Sequence, residues 1–177
     1  MTTLAEYDPT WPARYEETVA ELRPAFGDTV EEFEHIGSTA VPGLVAKPVI
    51  DIAAKADALS AIVACEPALA SLGFLRSVDG PPDRRTYVKL TDDGVLTHNL
   101  HVFAAENWDR LNQRILRDYL RTNPDACRQY ADLKRRLAAR GLTGFDYTYA
   151  KTNLIQHLTN RARATRSLTP SPAWVKS

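Results

Sequence analysis

The sequence is short of several things, and each shortage bears on what the protein does. Cysteine occurs only twice in 177 residues, as Cys65 and Cys127. Neither sits in a C-x-x-C pair or beside a histidine cluster, so buried free thiols are expected in place of a disulfide framework, a zinc site or a redox pair. Excess charge of one sign is also missing, because 22 basic and 22 acidic side chains cancel. That balance disfavours a protein that tracks nucleic acid by bulk electrostatics and points to small-molecule partners. No apolar run approaches the roughly 18 residues of a membrane span. The opening residues, Met1 to Asp8, contain no basic region followed by an apolar stretch. A cytoplasmic location and no membrane partner are therefore the expectation.

What is present suits a folded chain: 44% hydrophobic and 25% charged residues are globular proportions. The length suits a single domain, expected over residues 1–166. A loose tail is expected over 167–177, where two prolines and little periodicity occur. Trp11, Tyr15, Val19, Leu22 and Phe26 recur at helical spacing, predicting an amphipathic helix with Pro12 in its first turn. Strands are predicted over 30–36, 48–54, 74–78, 86–90 and 96–103, with turns at Gly80 to Asp83 and at Thr91 to Gly94. Ala56 to Leu72 reads as a helix ending before Gly73. Helical patterns follow around Leu111 to Leu120, around Tyr130 to Leu137, closed by Gly141, and over Tyr147 to Arg163. The sum is an α+β fold, a mixed sheet of four or five strands flanked by helices, with a helical C-terminal part.

Two segments carry the chemistry. Gly37-Ser38-Thr39 follows a strand and exposes backbone N–H groups beside small side chains, which suits an anion such as phosphate; a merely tight turn is the plainer explanation. Asp51 lies in an otherwise apolar strand, where a carboxylate is costly unless it faces a cleft, a cation or a hydrogen-bonding partner. Alternation puts Val49, Asp51 and Ala53 on one face, expected to be the one away from the helical cover. It also puts Asn99, His101 and Phe103 together, so that His101 and Asn99 could face Asp51; a hydrogen-bonded structural histidine is the plainer reading, and His35 is equally ambiguous. Arg85, Tyr87 and Lys89 share a face, with Arg84 beside them, forming either a basic stripe for phosphates or a solvated strand face. The run from Arg135 to Arg140 reads as a solvated helix face.

His35-Ile36-Gly37-Ser38-Thr39-Ala40-Val41-Pro42-Gly43-Leu44, followed by Ala46-Lys47-Pro48-Val49-Ile50-Asp51-Ile52, resembles the signature of the GrpB family. Tyr7-Asp8-Pro9 with Trp11, Arg84 to Lys89, His98 to Val102 and Tyr149 to Leu158 extend the resemblance over roughly residues 5–160. It implies a fold like that of DNA-polymerase-β-like nucleotidyltransferases, in which the Gly-Ser turn holds nucleotide phosphates and strand carboxylates hold a divalent metal, normally Mg²⁺. On that pattern Gly37, Ser38, Thr39, Arg84, Arg85, Lys89 and Lys151 bind the phosphates of ATP or another nucleoside triphosphate. Asp51 and His101 hold the metal, and Lys47 joins them in catalysis. The second acidic position of the superfamily is occupied here by Ala53, so two-metal chemistry lacks a ligand.

The implied function is transfer from a nucleoside triphosphate to, or activation of, a small-molecule acceptor. A non-catalytic module that recognises a nucleotide or coenzyme-A-like ligand is the alternative favoured by Ala53. An ATP-dependent ligase or cyclase built on the same site is a third.

Overall fold

The computed structural model describes residues 4–78 and 81–172. Gly80 of the expected Gly80 to Asp83 turn and residues 173–177 of the expected tail lie outside the described residues. Helix α1 (Trp11–Phe26) buries Trp11, Tyr15, Val19, Leu22 and Phe26, the stripe that the spacing predicts. Strand β1 (Glu32–Ile36) leads into a 3₁₀ turn at Ser38–Ala40, and β2 (Ile50–Ala56) follows. The predicted helix from Ala56 is shorter than expected. Ala56 ends β2, and a 3₁₀ segment (Ala61–Cys65) precedes α2 (Glu66–Ser71), which starts where Pro67 falls in a first turn. Proline has no N–H to donate inside a helix and so marks a beginning.

Strands β3 (Phe74–Arg76), β4 (Arg84–Leu90) and β5 (Leu96–Ala104) complete a five-stranded mixed sheet of order β1-β2-β5-β4-β3. Only β2 and β5 pair in parallel, at its centre. The C-terminal part is helical: α3 (Asn112–Thr122), α4 (Pro124–Ala139), α5 (Gly144–Tyr149) and α6 (Thr152–Ala164). One helix was expected over Tyr147 to Arg163. Instead the chain tightens between α5 and α6, where the Lys151 N–H reaches the Thr148 carbonyl at 3.3 Å. No glycine or proline marks that break. The described part of the tail is tied down: Leu168 packs against the C-terminal core, and the carbonyls of Thr169, Ser171 and Pro172 accept bonds from Arg163, Gln156 and Asn112.

Both faces of the sheet are covered. One carries Phe33, Ile50, Ile52, Ala54, Tyr87, Leu100 and Val102 against α1 and α2, forming the larger apolar core. The other carries Ile36, Ala53 and Phe103, packed with Trp108 and Leu111, and turns toward the C-terminal helices. Asp51 belongs to this second face. The expectation that it points away from helical cover is therefore corrected: helices lie over it too, and they leave a cleft.

Candidate functional site

The cleft has a volume of about 340 Å³ and is walled by Gly37, Ser38, Asp51, Asn99 and His101 on the sheet side. Arg117, Tyr130, Lys134, Tyr147 and Lys151 line the helical side, and Lys47 stands at the loop before β2. Its floor follows from strand register. Antiparallel pairing sets Ile36 opposite Asp51, and parallel pairing sets Asp51 beside Asn99. Asn99 Nδ2 donates to Asp51 Oδ1 at 2.7 Å, which satisfies one side of a half-buried carboxylate.

Gly37 makes the approach of the turn to Asp51 possible. It adopts φ +73°, and a Cβ there would lie 2.2 Å from Asp51 Oδ2. No side chain fits such a gap, and L-residues rarely adopt that conformation. The chain therefore folds directly over the carboxylate and presents Ser38 to the cleft, half-buried. Thr39 is different. Its hydroxyl donates to the Val49 carbonyl at 3.0 Å and lies 3.0 Å from His35 Nε2. Of the expected triad, Thr39 thus fixes the turn from behind, leaving Ser38 as the hydroxyl in the cleft.

Facing Ser38 is Lys134, which is 3% exposed. Its Nζ lies 2.5 Å from Ser38 Oγ and 3.0 Å from the Val45 carbonyl, and 4.4 Å from the centre of the Tyr130 ring. Burial pushes this amine well below the ordinary lysine range; Lys151 adds to the shift and Asp51 opposes it. Lys134 is not among the site residues expected from the sequence, yet a signal exists: Tyr130, Lys134 and Leu137, all buried in α4, occupy one helical stripe at spacings of four and three. A lysine in an apolar stripe is the helical counterpart of Asp51 in an apolar strand.

Two further lysines converge at Tyr147. Lys47 Nζ is 5.3 Å and Lys151 Nζ 4.3 Å from the centre of its ring, and burial raises the Tyr147 phenol to about 12. The break between α5 and α6 brings Lys151 there. Glu34, on the same sheet face, binds Arg114 and Arg117 of α3 at 2.6 Å each. Its burial raises the carboxyl pKa, but the hydrogen bonds from these arginines outweigh that and bring it down to about 2. This pairing clamps α3 to β1 and holds the roof of the cleft.

The expected basic stripe does not join this group. Arg85 Nε donates to the Leu59 carbonyl at 2.6 Å and Arg85 Nη1 to Glu66 at 3.1 Å, while Lys89 lies 3.9 Å from Glu21 and over Phe74. Both are on the α1 face, opposite Asp51. Tyr87, 1% exposed within the larger core, determines this: alternation carries Arg85 and Lys89 with it and sends Thr86 to the cleft side. Arg84 is on the Asp51 face but pairs with Phe103 in register, four positions beyond Asn99, about 13 Å along the strand. There it stacks on Phe103 and binds Asp83. Arg84, Arg85 and Lys89 are accordingly set apart from the cleft.

His101 does line the cleft. It pairs in register with Ala53, one same-face step beyond Asp51, and its Nδ1 lies 3.4 Å from Thr86 Oγ1. His35 stacks on Tyr15 at 4.9 Å behind the turn and is held neutral, down to about 4, first by burial and then by Arg121 and Arg117. It is structural.

The metal that the resemblance implies can be tested against these donors. Among the described residues no group of three or more His, Cys, Asp and Glu side chains is placed to hold a metal ion. Asp51 is the one carboxylate in the cleft lining, one oxygen accepts from Asn99 and the other presses on Gly37. Magnesium requires a shell of oxygen ligands, and imidazole is a poor substitute. Asp51 and His101 do not fit a resident divalent ion.

The model of the family described as GrpB protein matches residues 2–161. A UPF0157 protein of Halalkalibacterium halodurans is 34% identical over 166 residues, which cover 92% of this chain and 83% of that protein. A dephospho-CoA kinase of Mycolicibacterium paratuberculosis is 32% identical over 153 residues, 72% of this chain but only 37% of the kinase. The crystal structure of GrpB from Enterococcus faecalis superposes with a TM-score of 0.85 at 28% identity, covering 93% of this chain and 99% of that one. No helix among the described residues is long and apolar enough to cross a membrane. From the fold and the Gly37 to Asp51 signature through to this near full-length match, the observations agree: the chain belongs to the GrpB family.

Proposed function

We propose that the cleft binds a nucleotide-like phosphorylated small molecule, with its phosphates between the Gly37–Thr39 turn and the lysine pair Lys47 and Lys151. The convergence of those two lysines on Tyr147 carries this reading. They come from separate parts of the chain and bring two positive charges to the wall of the cleft, which favours an anionic ligand there. The turn supplies backbone N–H groups beside small side chains, which suits phosphate oxygens. Leu116, Leu120 and Ile155 line the same cleft and give an apolar surface for the rest of the ligand. The similarity to part of a dephospho-CoA kinase makes a coenzyme-A-like ligand one candidate. Calorimetric titration with ATP, GTP, CTP and coenzyme A, each with and without Mg²⁺ or Mn²⁺, tests it. Binding of at least one of them, weakened by Lys151→Ala, is expected; no binding of any would overturn it.

A second reading, group transfer to an acceptor, is favoured by one observation. A pocket that only held an anion would gain nothing from a carboxylate against its own cradle, yet Gly37 is shaped to admit Asp51. The cleft also holds side chains of its own, Ser38 and Lys134, that can take part in such chemistry.

A further inference from the structure

We propose that Ser38 and Lys134 form a nucleophile and base pair, Ser38 attacking a phosphoryl group held in the cleft and Lys134 taking its proton. The proposal rests on the phosphorylated-ligand reading for its substrate class. Its geometry is independent of that reading. Lys134 Nζ lies 2.5 Å from Ser38 Oγ and 3.0 Å from the Val45 carbonyl. A neutral amine has N–H bonds to donate and one lone pair to accept with. As an ammonium Lys134 donates to both Ser38 Oγ and the Val45 carbonyl; as a neutral amine it can keep the carbonyl bond and accept the Ser38 O–H on its lone pair, the arrangement a general base requires. Burial of the amine to 3% exposure favours its neutral form. Ser38 and Thr39 both line the cleft, but the Thr39 hydroxyl is committed to the Val49 carbonyl and only the Ser38 hydroxyl meets Lys134.

The step balances within the site. Ser38 Oγ forms a bond to phosphorus as the phosphoanhydride P–O bond of the ligand breaks. The leaving phosphate or nucleotide keeps that electron pair, and the Oγ proton passes to Lys134 Nζ. The resulting ammonium lies within the electrostatic reach of Asp51, which gives the carboxylate under Gly37 a purpose without a metal.

An organofluorophosphonate probe tests the pair, because it phosphonylates activated serines with loss of fluoride and needs no knowledge of the natural ligand. The full chain is incubated with the probe, and the adduct is placed by peptide mass spectrometry. One adduct on Ser38 is expected in the unaltered protein. It should be absent in Ser38→Ala and slowed about a hundredfold or more in both Lys134→Met and Lys134→Arg. Arginine supplies hydrogen-bond donors but takes up no proton, so labelling preserved in a folded Lys134→Arg variant would overturn the role of Lys134. Absence of a Ser38 adduct in the unaltered protein would overturn the proposal without any variant. ATP titration of the same samples separates the two readings: binding without labelling removes the dyad alone, and labelling without binding removes the nucleotide.

Discussion

The two faces of the sheet solve opposite problems with the same strands. The face under α1 and α2 is closed and apolar, and its cations, Arg85 and Lys89, are paired with Glu66 and Glu21. The face under the C-terminal helices keeps a cleft in which a carboxylate, a hydroxyl and a buried amine meet. Charge on the first face serves packing. On the second it is assembled where packing alone would exclude it, at the cost of a position that only glycine can fill and a desolvated lysine. Alternation along β2, β4 and β5 is what keeps these tasks separate.

The sharpest way to break this contrast is at Gly37. Gly37→Ala introduces both a positive-φ penalty and a clash with Asp51, and a loss of about 3 kcal/mol in unfolding free energy is expected. Gly141 has nearly the same φ but open space around it, so Gly141→Ala should cost only about 1 kcal/mol. Urea denaturation of the pair separates close approach from backbone conformation.

Next in size is the acid response. The carboxyl of Glu34 lies below its unfolded value of 4.5. The stabilisation it gives is therefore full above pH 4.5 and lost as pH falls toward about 2. Glu34→Gln should cost roughly 2–3 kcal/mol at pH 7 and little near pH 2. His35, neutral to about 4, acts earlier: the unfolded chain takes up its proton below about 6.5, so melting temperature should begin to fall there. His35→Gln should flatten the melting profile between pH 6.5 and pH 4.

The smallest effects sharpen the comparison most. Lys47→Ala and Lys151→Ala should each weaken a phosphorylated ligand about tenfold while changing stability by less than about 0.5 kcal/mol. Arg85→Ala should do the reverse, costing about 1 kcal/mol with ligand affinity unchanged. Calorimetry and denaturation on the same three variants check both halves.

Much of this was legible in the sequence for a physical reason: short-range patterns encode elements and faces. The α1 stripe, the strands, and the meeting of Asp51 with Asn99 follow from periods of 3.6 and 2. What alternation cannot tell is which face becomes which: Arg85 and Lys89 share a face with Tyr87, and that face packs on α1. Tyr87, too large and apolar for the cleft, was the available clue. Lys134 directly precedes the solvated run from Arg135 to Arg140, and beside the exposed Arg135 and Arg136 a buried lysine does not stand out. Lys151 reaches Tyr147 through a helix break that no glycine or proline announces.

The most direct test of the central claim is an amide NMR titration of the folded chain with ATP and with coenzyme A. The largest shifts are expected on the backbone amides of Gly37, Ser38 and Thr39 and around Lys151, weakened by Lys151→Ala and unchanged by Arg85→Ala. Shifts centred on the α1 face near Arg85 and Lys89, or saturable binding that leaves the Gly37–Thr39 amides unmoved, would contradict it.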